Sequence, residues 1–200
     1  MIAALFVDDT GVYANRVNID LWPIARDARL YRGSDKVIAH PPCQRWGRYW
    51  HGSPRKPHVY ELGDDQGCFA SALANVRRCG GVLEHPAYSH AWNFFDIEPP
   101  CFGEGWTKPD RFGGVSIYVE QGHYGHVSRK PTWLYGVNIT TPELPRHKAP
   151  QVISERALEL HGYVKARRIG VMAMIGGKAK TKLRNATPKL FAELLISMVS

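Results

Sequence analysis

The sequence predicts one α/β domain over residues 1–200, with a mainly parallel sheet flanked by helices. Three observations predict it. Residues 2–7 (IAALFV) and 36–40 (KVIAH) are short, nearly continuous apolar runs, the pattern of strands covered on both faces. Between Asp64 and Arg78, Phe69, Leu73 and Val76 recur at helical spacing, and Gly80 and Gly81 supply the stop. Residues 81–84 (GVLE) then read as a strand ended by Pro86, so strand, crossover helix and strand follow in the order of a right-handed parallel unit.

The remaining elements follow in turn. Residues 86–114 are rich in glycine, proline and aromatics and predict a long irregular loop. Residues 116–119 and 132–137 are β-rich, and the Gly/His stretch 122–126 between them is a turn, so they form a hairpin on the sheet edge. Residues 138–152 hold three prolines and no apolar period, as in a linker or a small insertion. Ser154 is an N-cap candidate for a helix through Leu160. Pro188, with Leu190, Phe191, Leu194, Leu195 and Met198, marks a final amphipathic helix.

Composition narrows the partners. Lysine and arginine number 26 against 18 acids, a formal +8, so a polyanion is the first partner to consider. The four cysteines are widely spaced, with no close pair to suggest a disulfide framework. No basic leader precedes the first apolar run, and no run approaches the roughly 18 residues of a membrane span. These features read as a cytoplasmic protein, cellular or viral. His123 and His126 are the only close pair of metal-ligand type, and no metal is expected.

The block with most chemistry is residues 37–44 (VIAHPPCQ). Cys43 lies just beyond a buried parallel strand, on the edge where open α/β sheets bind ligands, and two prolines stiffen its turn. Such a thiol is a nucleophile where a positive neighbour favours the thiolate. Glu84, at the end of the next strand, brings a carboxylate to the same edge. Protonated, it donates to a ring nitrogen; ionised, it accepts from an amino group. Thiol plus carboxylate suits addition to carbon six of a pyrimidine. Arg45, Arg48, Arg55 and Lys56 follow, interleaved with Trp46, Tyr49 and Trp50, and a second basic cluster contains Lys180 and Lys182. Cations for phosphates and aromatics for bases are what a nucleic-acid groove uses. His123 and His126 shape the pocket or contact phosphate.

PPCQ at 41–44, E-x-P at 84–86, residues 124–136 (YGHVSRKPTWLYG) and 184–188 (RNATP) resemble, in this order, segments of the DNA cytosine-5 methyltransferase family. Residues 1–13 resemble its first, glycine-rich segment. The resemblance implies a Rossmann-like methyltransferase core with a trimmed cofactor lobe. It makes Cys43 the nucleophile, Glu84 the partner of the ring nitrogen and amino group, and Arg129 or Lys130 a contact to base or backbone. Phe6, Asp8, Gly11, Asp20, Asp27 and Asn185 would line a site for S-adenosylmethionine or a derivative. The base would be flipped out of the duplex. His85 stands where the family has asparagine, and Arg184 where it has glycine. Between Tyr13 and Asp27 there is little room for the usual helix and full strand. Nearly no recognition region separates residue 137 from the last helix, so sequence readout would fall to a protein partner. A short, divergent intracellular member is implied, with a phage-encoded one among the options. Two other readings stay open: an enzyme acting on a free pyrimidine nucleotide, and a non-catalytic nucleic-acid-binding protein on a degenerate fold.

Overall fold

A computed structural model describes residues 1–53, 56–57 and 60–200, without the side chains of 53, 56 and 57. In chain order the elements are β1 (Ile2–Leu5), β2 (Ile19–Trp22), β3 (Lys36–Ala39), a small hairpin of β4 (Gly52–Ser53) and β5 (Lys56–Pro57), α1 (Cys68–Cys79) and β6 (Gly81–Pro86). Then come α2 (His90–Phe94), β7 (Val115–Glu120), β8 (Pro131–Val137), α3 (Glu155–Ile169), α4 (Gly177–Asn185) and α5 (Lys189–Val199). Six strands make one sheet in the order β2-β1-β3-β6-β8-β7. Pairings β1 with β2, β1 with β3 and β3 with β6 are parallel, whereas β8 runs antiparallel to both β6 and β7. The sheet is therefore mixed, because the expected hairpin inserts its reversed second strand between β6 and β7.

Alternation along the strands builds two cores. Ala3, Leu5, Val37, Ala39 and Leu83 face α1, whose Phe69, Leu73 and Val76 form the expected apolar stripe. Ile2, Ala4, Ile38, Val82, Val119 and Leu134 face α5, whose Phe191, Leu195, Met198 and Val199 cover them. The two helices thus sandwich the sheet. α1 begins at Cys68, just before Phe69, and Asp65 holds the preceding turn, accepting the amides of Gly67 and Phe69 and the indole N–H of Trp46. At the other end Gly81, φ +126, lies so close to β3 that a Cβ there would sit 2.0 Å from the Val37 carbonyl oxygen.

The connection from β1 to β2 contains no helix, only turns, yet a four-residue strand still forms. The 86–114 segment is less irregular than expected. It carries α2, and Trp92 and Ile97 enter the core, with the Trp92 indole donating to Ser116 Oγ at 3.2 Å. α4 has no apolar period and was not expected from the sequence. No helix among the described residues is long and apolar enough to cross a membrane.

Candidate active site at the strand carboxyl ends

The chain leaves β1 for β2 on one side and returns to β3 on the other, so the strand order reverses between β1 and β3. Open α/β sheets bind ligands at such a switch point, beyond the carboxyl ends. The period-two stripe that faces α5 turns polar there. Ile38 is followed two residues on by His40, Val82 by Glu84 and Val119 by Gln121, while Leu134 is preceded by Thr132. Side chains two apart share a face, so these four meet.

They form one hydrogen-bonded chain. His40 Nδ1 lies 2.9 Å from Glu84 Oε2, and His40 Nε2 lies 2.9 Å from the Tyr13 hydroxyl. Gln121 Nε2 donates to Glu84 Oε1 and to Thr132 Oγ1, each at 3.0 Å, and the Thr132 hydroxyl donates to the Lys130 carbonyl. Burial would raise the Glu84 carboxyl, but the hydrogen bond and charge of His40, with Lys130 and His85 adding, bring it down to about 2. Glu84 is thus ionised at neutral pH. Burial pushes Tyr13 far up, with the Glu84 charge adding, so its phenol keeps its proton.

Cys43 borders this network. Its carbonyl accepts the amides of Trp46 and Gly47, which closes the turn after the two prolines. Burial and the charge of Glu84 raise the thiol, whereas Arg184, its own backbone amide and Lys130 pull it down, and the net direction is upward. The resting group is therefore a thiol with two cations near enough to favour its anion. Burial lowers Lys130, while Glu84 and Cys43 pull it back up, and its ammonium donates to the Ala186 carbonyl at 2.7 Å. Of the two basic residues the sequence left open, Lys130 accompanies Cys43 and Glu84. Arg129 turns away, its Nε donating to the Ala149 carbonyl at 3.3 Å.

Glu84 and its neighbour His85 part company because alternate residues face opposite sides of the sheet. His85 is fully buried on the α1 side, edge-on to Phe69 at 5.2 Å between ring centroids. Neither ring nitrogen meets hydrogen-bond geometry, although the Pro42 carbonyl is near enough to favour the protonated ring slightly. Burial dominates and lowers His85 to about 4.

The residues expected around a cofactor do not assemble into a site. Asp20 lies within β2, where it accepts the Trp22 indole at 2.7 Å and pairs with Arg26. Asp27 is bound by its neighbour Arg29 through Nε and Nη2 and caps a short turn. Asp8 closes a turn on Thr10, and Gly11 packs against the Asp8 backbone. Phe6 adopts a left-handed backbone, φ 59, which swings its ring to the α1 core. Tyr13 fills the α5 side instead, and its bond to His40 spans the switch point. Asn185 is exposed at the end of α4. With Asp20 and Asp27 already held by arginines and Phe6 turned to the α1 core, these residues do not fit S-adenosylmethionine. Among the described residues no three His, Cys, Asp or Glu group to hold a metal ion.

The expected nucleic-acid contacts divide. Trp46 is buried, its indole on Asp65, and it packs against Phe69, Phe94 and Phe95; it is a core residue and not a stacking platform. Arg45 lies over the Tyr60 ring at 3.4 Å, and Arg48 is exposed beside Tyr49. Arg55 and the Lys56 side chain lie outside the described residues. His126 is buried and structural, bonded to Ser128 and to the Leu183 carbonyl at 3.1 Å. His123 is engaged by the His147 carbonyl at 2.8 Å. Lys180 and Lys182 stand on α4, where Arg184 reaches toward Cys43; Lys182 acts on Asp8. The bonds from His126 and Lys130 moor this helix over the site.

No family model and no curated protein matches this chain.

Proposed function

We propose that the chain is a DNA cytosine-5-modifying enzyme on a trimmed, Rossmann-like methyltransferase core, with Cys43 adding to carbon six of a cytosine. The observation that carries this reading is the convergence of the Cys43 thiol, the ionised Glu84 carboxylate and the Lys130 ammonium at the carboxyl ends of β3 and β6. The ordered resemblance of the flanking segments supports the same assignment.

The chain's own groups balance the first step. As sulfur bonds to carbon six, the thiol proton passes to Glu84. The C5=C6 electron pair moves between C5 and C4, the C4=N3 pair moves onto N3, and Glu84 delivers the proton there. Lys130 and Arg184 stabilise the developing thiolate electrostatically. Uptake of a solvent proton at carbon five, loss of the original one and expulsion of the thiol return cytosine with its carbon-five hydrogen exchanged. This exchange needs no sulfonium donor.

The test is tritium release from DNA carrying [5-³H]cytosine. Release is expected with the wild-type protein, none with Cys43→Ala, and a rate lower by about 10²-fold or more with Glu84→Gln, the ordinary worth of general acid–base catalysis. Release that survives Cys43→Ala refutes the assignment.

A further inference from the structure

A concave site lies where Arg129 turns away from Cys43. Arg129, Lys148 and Arg167 line a pocket of about 410 Å³ together with Ala149 and Gln151. Among the described residues none of the three cations has a carboxylate within 4 Å. Glu120, beneath Ala149, is buried with both oxygens engaged, one by the Ala149 amide at 2.7 Å and the other by the Tyr118 hydroxyl at 3.2 Å. Three like charges gathered in a concavity repel one another until an anion enters. The site is also partly fixed. Arg129 Nε is anchored on the Ala149 carbonyl, and the Gln151 amide donates to the Arg167 carbonyl. Those bonds leave the outer edge of the Arg129 guanidinium for a ligand, a fork that matches phosphate oxygens.

Position and surroundings identify the anion further. Arg129 is the chain neighbour of Lys130, and adjacent Cα atoms lie only about 3.8 Å apart, so the stretch of backbone that brings Lys130 to Cys43 also carries Arg129 to the pocket. Beyond it, residues 155–185 carry eight basic and two acidic side chains. Lys178, Lys180, Lys182 and Arg184 on α4 likewise have no carboxylate within 4 Å among the described residues. A single phosphate needs one cluster, whereas a field that continues past it suits a row of phosphates. We propose that the pocket of Arg129, Lys148 and Arg167 grips a backbone phosphate of the strand whose base enters the Cys43 site. The location relative to the base rests on the reading above; anion binding by the pocket does not.

Equilibrium binding of a fluorescently labelled short duplex, followed by anisotropy between about 50 and 200 mM salt, tests this. For Arg129→Gln/Lys148→Gln, affinity should fall about 10-fold at low salt, and the slope of log affinity against log salt should become shallower by about 1, the signature of one lost phosphate contact. Lys189→Gln, on α5, controls for the loss of a positive charge away from the pocket, and equal urea midpoints control for folding. Wild-type affinity and slope in the double variant would overturn the proposal. Free dCMP as competitor separates the two sources of phosphate: weak competition supports a strand, and displacement as effective as that by unlabelled duplex overturns it. Pocket-dependent binding without tritium release would refute the catalytic reading alone, while release with a pocket-independent slope would refute the pocket alone.

Discussion

His85→Leu isolates the cost of burying an imidazole with no hydrogen-bond partner. In the folded protein His85 titrates at about 4, against an ordinary 6.5. The folded state therefore binds the proton less readily than the unfolded chain. Its contribution is complete above about pH 6.5 and is lost as pH falls from there toward 4. Between pH 7 and pH 5 those two values correspond to a loss of about 2 kcal/mol, which for a chain of this size lowers Tm by roughly 4–8 °C. Burial also lowers His126, which adds to the wild-type acid sensitivity in the same direction. Glu84 does not act in this window. Its depressed carboxyl contributes fully above about 4.5, and the contribution is lost as pH falls toward 2. Urea midpoints at pH 7 and pH 5, read at constant m, supply the measurement. The gap between the two pH values should shrink by about 2 kcal/mol in His85→Leu, while stability at pH 7 holds or rises because two unpaired polar atoms leave the core. An unchanged gap would refute the assignment of acid sensitivity to this ring.

Two further outcomes follow from geometry and charge. Glu84→Gln removes the anion that helps raise Cys43, so iodoacetamide should label Cys43 at neutral pH roughly 3-fold faster than in wild type, as read by peptide mass spectrometry, with Cys101 as the exposed internal reference. Equal or slower labelling would show that the Glu84 charge is not what holds the thiol up. Gly81→Ala forces a Cβ to within 2.0 Å of the Val37 carbonyl oxygen at a positive φ, so it should leave little soluble protein with native near-ultraviolet dichroism; normal yield and dichroism would show that β3 and β6 can part at that point.

Much of the scaffold was legible because its periods are simple. Phe69, Leu73 and Val76 announce α1, Gly80 and Gly81 its end, and the apolar runs at β1 and β3 their place in the sheet. β2 escaped notice because its four half-buried residues (IDLW) include a charge and show no alternation. α4 escaped because its residues (GKAKTKLRN) have no apolar stripe and the helix is held by backbone bonds from His126 and Lys130. Cys43 and Glu84 could be placed because one lies four residues past β3 and the other near the carboxyl end of β6. Their partners His40, Gln121 and Thr132 were readable only by carrying the period-two core stripe past the end of each strand. Tyr13 gave no such signal, since its position depends on Phe6 turning the other way. Trp46 misled for a different reason: an aromatic ring between arginines looks like a stacking surface until tertiary packing is known.

α5 follows every strand of the sheet in the sequence, yet it alone among the long helices covers the face bearing Ile2, Ala4, Ile38 and Val82. During synthesis that face must therefore wait for α5, which emerges after all six strands. The delay exposes an apolar surface beside the Cys43 thiol. A ribosome paused before α5 emerges would present a complete sheet with its main covering helix missing and a strong tendency to associate.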